Sequence, residues 1–200
     1  QKVIAIDGPS ASGKGTVALR VAQALGFDYL DSGALYRLTA LYAEKRGVGW
    51  RDEEAIAQLA ENLPVRFEET RIMLNDEDVS AQIRSEAIGM GASAIAQLPK
   101  VRVALLQRQR DFLTEKGLVA DGRDMGSVVF PDAVLKVFLT ASAQVRAQRR
   151  ARQLGLPCEG VEYDRILSDI EARDEADRRR PVAPLRQLPD AVLLDTTDLG

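Results

Sequence analysis

The stretch GPSASGKGT, Gly8 to Thr16, constrains this chain more than any other. It follows KVIAID, an apolar run that reads as a buried strand over residues 2–6. Behind it, Val17, Ala18, Val21, Ala22 and Leu25 recur at helical spacing, and Gly26 supplies a C-cap. Gly8, four intervening residues, Gly13 and Lys14 match the phosphate-loop pattern G-x-x-x-x-G-K-[ST]. The match slips by one place. Gly15 stands where Ser or Thr should follow the lysine, and the hydroxyl arrives at Thr16. Such a loop works because its backbone N–H groups point inward and the following helix adds its positive N-terminus. Gly8 and Gly13 permit the tight backbone, and Lys14 reaches the terminal phosphates of a nucleotide. A second piece supports the loop. LVAD, Leu118 to Asp121, is an apolar strand ending in a carboxylate. In phosphate-loop enzymes an aspartate there holds or orients magnesium, so Asp121 is the candidate metal residue, acting through water.

The remaining pattern sets the fold class. Helices are expected at 34–46, 51–62, 85–96, 101–116 and 143–153, and Tyr163, Ile166, Leu167 and Ile170 mark one face of another. Buried strands are expected at 118–121 and 134–139, with a last strand at 191–195. Two short strands at 65–69 and 71–75 form a hairpin with only Thr70 between them. Strands alternating with helices give an α/β fold with an open, mostly parallel sheet covered on both faces. The hairpin stands outside that alternation and marks a small insertion over 50–90. Gly155, Pro157 and Gly160 punctuate a loop that suits a lid over 148–165. The core is then 1–49, 91–147 and 166–200.

Composition excludes several chemistries. With no histidine, Ser-His-Asp and Cys-His catalysis and a His/Cys zinc site are out. Cys158 is the single cysteine, an incidental loop thiol, so no disulfide framework forms and a reducing cytoplasm is the expected compartment. The net charge of -3 argues against a general nucleic-acid binder. No apolar run reaches the ~18 residues of a membrane span. No leader precedes the first strand, and Gln1 is not a usual start, so a few residues are expected ahead of it. No self-complementary apolar patch stands out, which makes a monomer the expectation. What remains is chemistry by positioning, fixed charge and a hard metal ion, which is how phosphoryl transfer proceeds.

The basic residues favour that chemistry. Lysine is confined to Lys2, Lys14, Lys45, Lys100, Lys116 and Lys136, and the other basic residues are arginine. Arginine grips phosphate in two-point fashion and keeps its charge at any working pH. Arg146, Arg149, Arg150 and Arg152 lie at helical spacings just before the Gly/Pro loop, as lid arginines would.

GPSASGKGT, DSGALYR (31–37), DGRDMGSVVFPDA (121–133) and RDEADRRRPVAPL (173–185) together resemble bacterial cytidylate kinases, over nearly the whole chain and in that family's order. A glycine and then a threonine after the loop lysine is similar to the form in the wider nucleoside monophosphate kinase group. The resemblance implies a three-layer sandwich with a five-stranded parallel core, an NMP-binding insertion and a lid. It implies transfer of the γ-phosphoryl group of ATP, with Mg2+, to CMP or dCMP, giving the diphosphate and ADP. Gly8, Pro9, Ser10, Ala11, Ser12, Gly13, Lys14, Gly15 and Thr16 would bind ATP, with Arg149 and Arg150 from the lid. Arg37, Arg123 and Arg180 would bind the acceptor's phosphate, and Arg123 and Arg180 would act with Lys14 in catalysis. Ser32, Ser93, Arg102 and Asp124 would surround the base, and Arg173 and Asp177 would lie near the ribose. Ser32 and Asp31 are each also candidate N-caps of the helix that follows. The resemblance further implies a helix after AVLLD, where this sequence ends five residues on.

The base assignment agrees with cytosine. Cytosine carries an N4 amino donor beside the N3 and O2 acceptors, and a carboxylate such as Asp124 accepts from an amino group of that kind. Uracil would set oxygen against carboxylate. A signalling GTPase is the rival from another class, but its guanine-reading N-K-x-D segment is absent.

Overall fold

The computed structural model describes residues 1–68, 71–180 and 184–199. Glu69 and Thr70, at the expected hairpin turn, and residues 181–183, within RDEADRRRPVAPL, lie outside the described residues, as does Gly200. In chain order the elements are β1 (Val3–Asp7), α1 (Lys14–Leu25), β2 (Asp28–Asp31), α2 (Ser32–Lys45), α3 (Glu53–Glu61), β3 (Val65–Phe67), β4 (Ile72–Leu74) and β5 (Glu77–Asp78). There follow α4 (Glu86–Ile95), α5 (Pro99–Arg110), β6 (Leu118–Gly122), β7 (Leu135–Thr140), α6 (Ala143–Gln153), α7 (Val161–Arg179) and β8 (Val192–Asp195). Packing divides the chain into two compact units: residues 1–30 with 112–200, and residues 31–111. The stretch 50–90 falls wholly inside the second.

The first unit is built on a five-stranded parallel sheet in the order β2-β6-β1-β7-β8. Central strands of such a sheet are buried on both faces and read as continuous apolar runs. Val3, Ala5, Leu118, Val119 and Ala120 accordingly have no exposed surface. Register sets Ile6 beside Asp121 and Asp7 beside Gly122, with Asp7 beside Phe138 on the other flank. The carboxyl ends of β1 and β6 therefore release their loops side by side, which is where ligands bind in open α/β sheets. α1 lays Ala18 and Ala22 against Ile6, Val119 and Leu139. Small residues on that face bring the helix close to the strand and fix the loop between them.

The second unit joins α2 to α5 and an antiparallel sheet, β3-β4-β5. Val65 stands opposite Leu74, and Met73 opposite Asp78. Leu35, Leu38, Ile56, Ile83, Ile95 and Leu105 form its buried interior. α3 packs on α5, and α2 on α4.

Several features differ from the sequence reading, among them β5, a third strand beyond the expected hairpin. β2 was not expected. It is a four-residue edge strand with Leu30 its one buried residue, so it lacks an apolar run to betray it. α5 starts at Pro99 rather than at 101, because proline suits the first helical position. It ends at Arg110, short of 116, ahead of a turn with Gly117 at φ 98°. The apolar run of β7 is buried only at Leu139, and Val192, Leu193 and Leu194 of β8 are exposed, because β8 is the edge strand and β7 its neighbour.

Candidate active site

The loop after β1 has the backbone of an anion cradle. Ala11 has φ 57° and Gly13 φ 86°, both in the left-handed region. For Ala11 that conformation costs about 1 kcal/mol, and strain of this sort concentrates where the backbone has a task. Gly13 caps α1 without any side-chain hydrogen bond, which leaves the helix's first N–H groups to the loop. The hydroxyls of Ser10 and Ser12 are buried and have no hydrogen-bond partner among the described residues. A buried orphan hydroxyl costs ~1–3 kcal/mol unless a ligand completes it, and phosphate oxygens accept from hydroxyls. Lys14 Nζ donates to Pro9 O at 3.3 Å, folded along the loop it serves. Thr16 is exposed.

Arg146 fixes this loop from behind. Its Nη1 donates to Ser10 O at 3.0 Å and its Nε to Ala141 O at 2.9 Å. The same guanidinium grips Asp174 on α7 in two-point fashion, at 2.9 and 2.5 Å. Arg146 is only 4% exposed, so it is a fixed part of the core and not a lid arginine, in contrast to the sequence reading. Arg149 donates to Thr196 Oγ1 and O and to Leu199 O, which ties α6 to the segment after β8. Arg150 is half-buried, and Arg152 is exposed.

At the end of β6, Asp121 accepts from Tyr29 Oη at 2.5 Å and is 3% exposed. Among the described residues no three carboxylates, histidines or cysteines gather into a metal cage. Asp121 is a single buried carboxylate, and magnesium is an ion that takes one or two carboxylates and completes its shell with water and substrate phosphates.

Beyond Gly122 the chain turns through Arg123 and Asp124 into a π-helical turn, Met125–Val129. Asp124 does not cap that turn with its own side chain. Asp7 does so from β1, accepting from Met125 N at 2.8 Å and Gly126 N at 2.9 Å. Burial pushes the Asp7 carboxyl up to about 6; the two N–H donors and Lys14 pull it down, and Asp124 adds to the rise. Asp7 was not marked in the sequence. A lone Asp at a strand end is common, and the remote turn it holds is invisible there.

The structure brings DGRD and RDEADRRR together, although they lie far apart in sequence. Arg123 Nε lies 2.6 Å from Asp177 Oδ2, and Arg180 Nη1 lies 3.7 Å from Asp177 Oδ1. Asp177 is 1% exposed and Arg180 3% exposed. Two guanidiniums thus converge on one buried carboxylate, an arrangement of fixed forks suited to gripping phosphate. Arg173 is half-buried on α7, one helical turn before Asp177.

In the second unit, Asp31 is the N-cap of α2, accepting from Ala34 N at 3.1 Å. Of the two candidates it takes the capping duty, and Ser32 is left for another partner. Ser32 Oγ donates to Gln109 Oε1 at 2.6 Å. Arg37 lies over the first turn of α2, where a Cβ on Gly33 would come 3.1 Å from its Nη1. Ser93 Oγ is buried and without a hydrogen-bond partner among the described residues. Arg102 is 8% exposed, donates to Ala96 O at 3.0 Å and sits 5.7 Å from the Tyr36 ring centroid. Ser32, Ser93 and Arg102 are thus all buried polar groups of this unit, which core packing alone does not require.

The family profile described as Cytidylate kinase matches residues 4–200. The chain belongs to the cytidylate kinase family. It is 74% identical over 199 residues to the cytidylate kinase of Neisseria meningitidis serogroup A, covering 100% of this chain and 91% of that relative. It is 73% identical over 199 residues to the cytidylate kinase of Neisseria gonorrhoeae, with the same coverage. The cytidylate kinase of Chromobacterium violaceum is 61% identical over 197 residues, covering 98% of this chain and 89% of that relative. The chain is therefore a kinase with a P-loop, and the one-residue slip of its hydroxyl is a property of a cytidylate kinase family member. No helix among the described residues is long and apolar enough to cross a membrane.

Proposed function

We infer that this kinase transfers the γ-phosphoryl group of ATP to CMP or dCMP, giving CDP or dCDP and ADP. The observation that carries the acceptor side is the pair of arginines, Arg123 and Arg180, on the buried carboxylate of Asp177. Paired, charged forks of this kind grip a dianionic phosphate in two-point fashion.

In this reading residues 8–16 bind the triphosphate, with their inward N–H groups and the hydroxyls of Ser10 and Ser12. Lys14 bridges the donor's terminal phosphates and neutralises charge as it moves. Arg123 and Arg180, with Arg37, orient the acceptor phosphate in line with the leaving group. That phosphate is already an anion, so no side chain has to remove a proton from it. Asp121, held by Tyr29, is the residue that would hold Mg2+ through water, and the ion would neutralise charge on the bridged phosphates. Ser32, Ser93, Arg102 and Asp124 read the base, and Arg173 and Asp177 serve the ribose side. The residues 148–165 act as a lid that excludes water; Gly155 at φ 69° and Gly160 at φ 94° bracket its loop. Arg149 and Arg150 approach ATP from that side. The insertion 50–90 serves the acceptor, and the protein works in the cytoplasm as a monomer.

The test is an acceptor panel in a coupled ADP assay, with CMP, dCMP, UMP, AMP and shikimate. CMP and dCMP are expected to be turned over far faster than the rest. Asp124→Asn is expected to lower kcat/KM for cytosine acceptors by about tenfold relative to UMP, because the charge-assisted bond that the carboxylate accepts from N4 becomes a neutral one at best. Equal losses on every acceptor would remove Asp124 from the base site.

A further inference from the structure

Gln109 is the most buried polar side chain of α5, 1% exposed, and nothing in the motifs marks it. Its two amide ends are both committed. Nε2 donates to Leu105 O at 3.3 Å, and Oε1 accepts from Ser32 Oγ at 2.6 Å. An amide can be drawn either way round, and its partners must decide. Here they do. A main-chain carbonyl only accepts, so the end facing Leu105 O has to be the NH2 group. The end facing Ser32 is then the oxygen, and the Ser32 hydroxyl has to spend its single proton on it.

The consequence falls on the base. A serine hydroxyl has one proton and two lone pairs. With the proton held by Gln109, Ser32 can only accept from a ligand. The polar edge of cytosine offers one donor, the N4 amino group, beside acceptors at N3 and O2. Uracil presents an oxygen at position 4. An acceptor-only hydroxyl at that position pairs with cytosine and opposes uracil, whereas a freely rotating hydroxyl would donate to uracil O4 and tolerate both. We propose that Gln109 is a specificity-determining positioning residue: by holding the Ser32 proton it makes Ser32 a fixed acceptor for the cytosine amino group and so helps this kinase reject uracil. Gln109 touches no substrate itself and acts wholly through Ser32. The proposal rests on the assignment of Ser32 to the base.

The experiment measures kcat and KM for CMP and UMP, with thermal unfolding, for Gln109→Met, Gln109→Glu, Ser32→Ala and the double variant Ser32→Ala/Gln109→Met. Methionine fills the same volume without an acceptor. Gln109→Met is expected to lower the CMP-to-UMP ratio of kcat/KM by about tenfold, chiefly through KM. Glutamate keeps an oxygen toward Ser32 whether ionised or protonated, and its protonated form still donates to Leu105 O. Gln109→Glu is therefore expected to keep the ratio within about threefold of wild type. In the Ser32→Ala background, Gln109→Met is expected to leave the ratio unchanged, because the hydroxyl it governs is gone. A ratio unaltered by Gln109→Met, or one altered equally with and without Ser32, overturns the proposal. Failure of the underlying reading looks different: Ser32→Ala alone then leaves the ratio untouched. Should Gln109→Met not fold, NMR of the wild-type CMP complex carries the test. A slowly exchanging Ser32 hydroxyl proton close to the Gln109 side chain is expected, and a hydroxyl proton coupled to 15N-labelled cytosine N3 would refute it.

Discussion

Asp174→Ala would expose what the Arg146–Asp174 pair does. Both side chains are under a tenth exposed, at 5% and 9%, and the two-point contact is held at 2.9 and 2.5 Å. Removing the carboxylate leaves a guanidinium in the interior with, among the described residues, only the carbonyls of Ser10 and Ala141 to stabilise it. Stripping one partner from a buried pair costs ~3–5 kcal/mol, because the remaining charge has no counterion and no water. For a domain of this size each kcal/mol moves the melting temperature by ~2–4 °C, so Asp174→Ala is expected to melt about 10 °C lower. Removing both charges with Arg146→Met/Asp174→Leu abolishes that penalty. What remains lost is the guanidinium's two hydrogen bonds to carbonyls, set against the apolar burial that makes replacing a buried ion pair often neutral or stabilising. The double variant should therefore be more stable than Asp174→Ala. It should also bind ATP less well than wild type while binding CMP nearly normally, because the Ser10 carbonyl has lost its donor. Urea unfolding followed by circular dichroism, with ATP and CMP titrations, reads all of these. A loss under about 1 kcal/mol in Asp174→Ala, or single-variant losses that simply add, would show that the pair is not the buried, mutually dependent unit described.

Other outcomes follow from single contacts. In Gly8→Ala the new Cβ would lie 2.1 Å from Leu139 O, closer than the 3.0 Å that real Cβ atoms respect. The loop must then shift by about 1 Å, for an expected loss of ~100-fold in kcat/KM, and a variant with normal kinetics and an unmoved loop would refute the close approach. Lys14→Ala should lower kcat by ~100-fold or more with the melting temperature nearly unchanged, and near-normal turnover would end the role given to this lysine. Asp7 has its carboxyl raised from 3.8 to about 6 by burial, so the folded state holds its proton more tightly than the unfolded one. Its ionisation costs stability at neutral pH, and that cost is relieved as pH falls from about 6 toward 4. Measured against Asp7→Asn, wild type should gain by up to about 3 kcal/mol over that range, and parallel pH–stability curves for the two proteins would contradict it.

The legible parts were those written in local pattern. The loop from Gly8 to Thr16 announces itself because a strand, two glycines, a lysine and a helix must be contiguous to make a cradle. β1, α1, β6 and α6 followed from apolar runs and spacing. The motifs around Arg123 and Arg180 were visible as motifs. Their meeting on Asp177 was not visible, since nothing local requires a loop after β6 to reach the last turn of α7. Arg146 shows the same limit. Its spacing matches Arg149 and Arg150, yet it alone points inward, and only the arrival of Asp174 from α7 makes a buried arginine tolerable. β2 hid because an edge strand buries one residue in DYLD and needs no apolar run.

The sequence by itself determined the kind of chemistry: no histidine, a phosphate loop and arginine in place of lysine leave phosphoryl transfer by fixed charge. The tertiary structure alone decided how those groups are held, with Asp7 capping a turn across the sheet, Asp174 neutralising Arg146 behind the loop, and Gln109 accepting the hydrogen bond of the Ser32 hydroxyl. The division has a physical cause. Backbone preference and apolar periodicity act between neighbours and are written in order along the chain, whereas a buried charge or a hydroxyl proton is settled by whichever group packing brings to it from elsewhere.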